Sequence, residues 1–124
     1  MKIKSIAWWN KIQKDEATNS EAIKGDLCTL IDGVAFLIQR RNNWNNVICI
    51  RIKPNKRSLF NTFSDFRYFC ELQKIQYIRV EGIGKHTYKM LYLILRNAPK
   101  ECGVIKERKE SEETGRSIYY VKTY

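Results

Sequence analysis

The chain of 124 residues has two prolines, one histidine and no CxxC pair. Nor does any apolar run approach the roughly 18 to 20 residues that a membrane-spanning helix requires. Each shortage excludes something. With only His86 to join Cys28, Cys49, Cys70 and Cys102, and those four far apart, the spacing of a zinc site is lacking. The same four cysteines, in a chain with 44% hydrophobic residues, read as free and mostly buried thiols of a reducing compartment, not as a disulfide scaffold. The opening Met1-Lys2-Ile3-Lys4, followed by Trp8 and Trp9, lacks the apolar core of a secretory signal, so a cytoplasmic location and no membrane partner are expected. Pro54 and Pro99 each fall near the end of a predicted element, and there is no repeat and no low-complexity linker. A single domain over residues 1–124 follows.

What the chain does have is positive charge. It carries 23 lysines and arginines against 13 aspartates and glutamates, a formal charge of +10. Such a surface attracts polyanions, whether nucleic acid, a phosphorylated ligand or an acidic protein. The cations are spread along the whole sequence, which is equally the pattern of a solvated basic surface.

The apolar pattern outlines an α/β (α+β) fold. Ile6, Trp9, Ile12 and Ile23 have roughly helical spacing, interrupted by Thr18-Asn19-Ser20, and predict two short helices between Ser5 and Lys24. Leu27 to Ile31, the pair Asp32-Gly33 and Val34 to Arg40 predict a hairpin, because Asp-Gly accepts the positive φ angles of a tight turn. After the turn Asn42 to Asn46, Val47 to Ile52 is a third, central strand of an antiparallel meander. Leu59, Phe63, Phe66 and Cys70 predict a core helix over 58–73. Ile75 to Glu81 is a strand ended by Gly82 and Gly84, Thr87 to Asn97 a second core helix, and Gly103 to Lys109 with Ser117 to Tyr124 a closing hairpin. The expected order is α-α-β-β-β-α-β-α-β-β: a mixed, mostly antiparallel sheet flanked by helices.

That order, over about residues 5–124, resembles the GNAT family of acyl-CoA-dependent N-acyltransferases. Pro54-Asn55-Lys56-Arg57-Ser58-Leu59-Phe60-Asn61-Thr62 stands where the family carries P-x-x-(Q/R)-x-x-G-x-(G/A), a loop whose backbone N–H groups hold the cofactor's pyrophosphate. The proline and arginine match, and both glycines are missing. A phenyl ring at Phe60 obstructs the approach of a phosphate to bare backbone. Tyr92-Leu93-Ile94-Leu95-Arg96-Asn97 keeps the first half of the family's Y-x-x-L-G-F pattern, which makes Tyr92 the one candidate for a general acid. Val47 to Lys53 contains no acid to act as base, and Glu81 reads as a solvated or paired surface carboxylate.

Other residues have plain and functional readings side by side. Lys56 and Arg57 open a helix and suit a phosphate, or are solvated loop cations. His86 is a capping or surface residue. Trp8, Trp9 and Trp44 are hard to bury fully in so small a domain and are partner-contact candidates. Arg116 to Tyr124 interleaves cations and aromatics, as single-strand binders do, and is also the pattern of a strand with aromatics on one face and lysine on the other.

The resemblance, with its glycines lost, implies a non-catalytic structural or interaction protein without cofactor, similar to small accessory or virion-associated proteins of bacterial viruses and working with a protein partner in a larger assembly. Two alternatives stand beside it: an N-acyltransferase that uses acetyl-CoA through an atypical loop, and a basic module that binds nucleic acid.

Overall fold

The computed structural model describes residues 2–15, 20–41, 44–54 and 59–124. Its elements run β1 (Lys2–Lys4), α1 (Ile6–Asp15), β2 (Leu27–Ile31), β3 (Val34–Arg41), β4 (Trp44–Arg51), α2 (Leu59–Leu72), β5 (Tyr77–Ile83), α3 (Gly84–Leu95), β6 (Gly103–Ser111) and β7 (Arg116–Lys122). The strands form one seven-stranded sheet in the order β1-β2-β3-β4-β5-β7-β6. Every neighbouring pair is antiparallel except β4 and β5, whose α2 crossover makes them parallel. The fold is α+β, as the pattern of the sequence predicts.

The β2–β3 hairpin turns at Asp32 (φ 45°) and Gly33 (φ 82°), so both central residues are left-handed. Glycine is required at the second for a further reason: a Cβ on Gly33 would lie 2.5 Å from the carbonyl oxygen of Lys53. Strand β3 then runs through the middle of the sheet with Val34 to Ile38 all buried. Its residues alternate between two cores. Val34, Phe36 and Ile38 face α2 and α3, where the Phe66 ring stacks on Phe36 at 4.2 Å. Ala35 and Leu37 face α1, where Trp9 is fully buried with Cys28 and Ile50. Cys28 and Cys70 are buried thiols, each pushed up to about 12 chiefly by desolvation, while Cys49 is exposed and Cys102 half-buried; all four are free.

Three expectations need correction at the N-terminal end. A short strand, β1, precedes the first helix and pairs with β2. The second of the two short helices expected between Ser5 and Lys24 does not form: 20–26 is irregular among the described residues. The side chains of α1 instead bond the backbone of this segment along an irregular path. Asn10 both accepts from the Ala22 N–H (2.7 Å) and donates to the Ala22 carbonyl (3.1 Å), the Trp9 indole donates to the Ser20 carbonyl (2.8 Å), and Gln13 accepts from the Ser20 N–H (3.2 Å). The same clamp corrects the reading of Trp9 as a partner contact, because an indole whose N–H has a partner at depth can be buried whole.

Gly82 sets the distance between β5 and α3. A Cβ there would lie 2.4 Å from the Thr87 hydroxyl oxygen. Gly82→Ala is therefore expected to cost about 2 kcal/mol through overpacking. Thr87→Ala in the same chain should recover most of that loss, as read by urea denaturation of the two single variants and the double.

Candidate functional site

Strands β4 and β5 pair over only three residues, Asn45 with Ile78, Asn46 with Arg79 and Val47 with Val80. Beyond Val47, β4 continues against β3 to Arg51 while β5 continues against β7 to Ile83, so the two part company inside the sheet. A cavity of about 360 Å³ occupies the opening, lined among others by Asn46, Ile48, Cys49, Glu81, Thr87 and Met90. Ile48 and Glu81 enter from the α1 side of the sheet and Cys49, Thr87 and Met90 from the other, because side chains alternate along a strand. Cys49 meets Met90 of α3 at 3.9 Å between sulfurs; although the residue as a whole is exposed, desolvation of its sulfur raises the thiol's pKa, which leaves it a weak nucleophile at neutral pH.

The charged groups of the cleft are Glu81 and Arg116. Glu81 lies 3.5 Å from the Arg79 guanidinium and 3.9 Å from that of Arg116, the paired carboxylate that the sequence suggests. Its two oxygens are thus each directed at a guanidinium.

Tyr92 stands elsewhere. It projects 61% exposed from the outer side of α3, one turn after Tyr88 at 59%, and both line a groove of about 520 Å³ between α3 and β6 with Leu91, Leu95, Arg96 and Val104. Spacing of four residues puts the two rings on one helical face, a signal present in the sequence as Tyr88 and Tyr92 but outweighed there by the core-helix pattern. Beside them a third hollow, about 600 Å³, lies between the first turn of α3 and the β6–β7 hairpin, where the Tyr119 hydroxyl donates to the Gly84 carbonyl at 3.1 Å. Desolvation, with Glu107 beside it, raises the Tyr119 pKa.

The two positions that replace the glycines of the resemblance are occupied by side chains that pack within the protein. The Phe60 ring lies 4.7 Å under the Arg96 guanidinium, at the end of α3, and is not among the residues that line the cleft. Thr62 is fully buried and its hydroxyl donates to the Asp32 carboxylate at 3.3 Å, which ties the β2–β3 turn to α2. Lys56 and Arg57, the candidate phosphate ligands, lie outside the described residues. His86 is exposed on α3. Trp8 is half-buried with Lys4 above its ring, and Trp44 is half-buried against Tyr77 and Tyr120. Among the described residues no cluster of three or more His, Cys, Asp or Glu is placed to hold a metal ion, and no helix is long and apolar enough to cross a membrane.

Comparison with protein-family models, with curated proteins and with solved structures finds no match to this chain.

Proposed function

We propose that this chain is a non-catalytic GNAT-like module that acts by binding a protein partner in a larger assembly, without acetyl-CoA. The observation that carries the reading is the use made of Phe60 and Thr62: the first packs on Arg96 and the second is buried against Asp32. A pyrophosphate nest needs bare backbone at these two positions. Here both side chains hold α2 to its neighbours. Two further observations support it. Glu81 is held by two arginines, and Tyr92 sits in the α3–β6 groove, apart from the cleft between β4 and β5. The Tyr88–Tyr92 groove is then the surface for the partner, since exposed aromatic pairs beside apolar aliphatic side chains are what protein interfaces bury.

Thermal denaturation with millimolar acetyl-CoA tests the reading. A ligand at 100 times its Kd stabilises by about 2.7 kcal/mol, or roughly 10 °C in a chain of this size. No shift is expected, and a rise of several degrees overturns the proposal. A photo-reactive phenylalanine analogue placed at Tyr92 should yield one discrete cross-linked species in the cells that make the protein, and the same group at Lys14 of α1 none.

A further inference from the structure

Among the described residues, a helix covers the α1 side of the sheet only over its first half. Helix α1 packs on Cys28, Ala35, Leu37 and Ile50, which belong to β2, β3 and β4. Over β5, β7 and β6 the same side carries a different population. The registers align Tyr77 with Lys122, Arg79 with Tyr120 and Lys106, Ile118 with Glu81 and Arg108, and Arg116 with Ile83. Asn46 of β4 adjoins Arg79, and Arg41 of β3 pairs with Trp44. The face thus holds six cations: Arg41, Arg79, Lys106, Arg108, Arg116 and Lys122. Against them stand Glu81, shared by Arg79 and Arg116, Glu110 on Arg108 at 2.6 Å, and Asp26, which clamps Arg41 at 2.7 Å.

Aromatic rings stand among these cations. The Trp44 ring meets Tyr120 at 4.8 Å and Tyr77 at 5.5 Å, both edge to face. Beside them is a hollow of about 350 Å³ lined by Gln39, Arg41, Trp44, Asn46, Arg79 and Tyr120. Its polar floor is ordered: Arg79 donates to the Asn46 side-chain oxygen at 2.9 Å, and Asn46 donates to Gln39 at 2.8 Å. An amide and guanidinium row beside an indole and a phenol offers what one unstacked base uses, hydrogen bonds to its edge and a ring against its face. The cations of β6 and β7 continue away from that hollow across the sheet, where a phosphate backbone would run.

We propose that this open face is a binding surface for single-stranded nucleic acid, with a base held in the Trp44–Tyr120 hollow and phosphates on Lys106, Arg108, Arg116 and Lys122. The excess of cations supplies the charge complementarity. A duplex fits poorly, because its bases are stacked away from the rings and a broad sheet does not enter a groove. An acidic protein would answer the charge and leave the ring-lined hollow without an occupant. The proposal is independent of the α3–β6 groove and of acetyl-CoA.

Fluorescence anisotropy with labelled oligo-uridine and oligo-deoxythymidine of about 12 nucleotides, titrated over a range of salt, tests it. Single strands should bind with a steep salt dependence, and a duplex of equal length about 10-fold more weakly. Lys106→Glu with Lys122→Glu, both surface changes, should reduce the slope of log K against log salt by about 1.4, at roughly 0.7 for each phosphate contact on a single strand. Trp44→Ala should weaken binding about 10-fold, within the range for one lost stacking contact. Lys11→Glu with Lys14→Glu should change it less than about twofold, since these exposed cations belong to α1, which packs over β2, β3 and β4 and not over the strands of the proposed phosphate track. Three results overturn the proposal. One is absence of binding, another is equal weakening by the α1 pair, which would make net charge the sole cause, and the third is displacement of the oligonucleotide by polyglutamate at equal charge concentration, which would mark an acidic-protein surface.

Discussion

Trp9→Ala should lower stability by about 4 kcal/mol, the loss expected when a wholly buried large aromatic is truncated in a packed core. Trp9 has no exposed surface, it fills the space between α1 and the sheet with Cys28, Ala35, Leu37 and Ile50, and its indole is the hydrogen-bond partner of the Ser20 carbonyl. Truncation removes the packing and also leaves a carbonyl without its donor. For a chain of this length the midpoint of thermal unfolding should fall by about 15 °C. The adjacent Trp8 is the control: it is half-buried over the same helix, and Trp8→Ala should cost well under half as much. Circular dichroism melts of both variants decide the matter, and equal losses would mean that Trp9 does not anchor α1.

Asp26→Ala should cost about 3 kcal/mol, because it leaves two backbone N–H groups without acceptors in a buried corner. The Asp26 carboxylate accepts from the Ile23 N–H at 2.9 Å and the Arg40 N–H at 3.1 Å, and from the Arg41 guanidinium at 2.7 and 3.2 Å. It thereby fastens the irregular segment before β2 to the end of β3. Burial raises the carboxyl's pKa, but the hydrogen bonds from Arg41, Ile23 and Arg40 outweigh it and the net shift is downward from 3.8. A lowered native pKa means that the unfolded chain binds the proton first on acidification. The contribution is therefore complete above the unfolded carboxyl range, near pH 5 and higher, and is lost as the pH falls through 3.8 towards the native value. Asp26→Asn keeps one acceptor, so its loss at pH 7 should be smaller than that of alanine, and its stability between pH 5 and 3 should fall less steeply than the parent's. Urea midpoints measured across that range read both effects, and a parallel slope in parent and variant would show that Asp26 is not the titrating group.

Much of the fold was legible because its signals are local. Asp32-Gly33 between two apolar runs specifies a hairpin through φ angles alone, and the hairpin forms there. The helical face of Phe63, Phe66 and Cys70 repeats at intervals that only a helix brings together, and those residues are buried; of Tyr88, Leu91 and Leu95, the face that predicts the second core helix, Leu91 is buried, Leu95 half-buried and Tyr88 exposed. The aromatic and basic interleaving of Arg116 to Tyr124 was visible as well, but its division was not. Tyr119 turns into the core, while Tyr120 joins Arg116 and Lys122 on the open side. The interval of two is readable in any strand, yet which phase faces a covered side depends on where the helices pack.

The segment 20–26 shows why the rest escaped. Its residues up to Lys24 accept a helix, but Asn10, Gln13 and Trp9, from another element, bond its backbone along an irregular path and Gly25 turns it at φ 98°. The candidate site follows the same division. Composition and periodicity by themselves determined a basic α+β chain with its hairpins and core helices. Only the tertiary structure decided that β4 and β5 separate after three pairs, that Tyr92 stands in a groove away from the cleft, and that, among the described residues, half of one sheet face is left without a helix. Local sequence sets the dihedral angles and periods of each element, whereas a site is made by neighbours distant in the chain, and their meeting is governed by packing that no short window of residues contains.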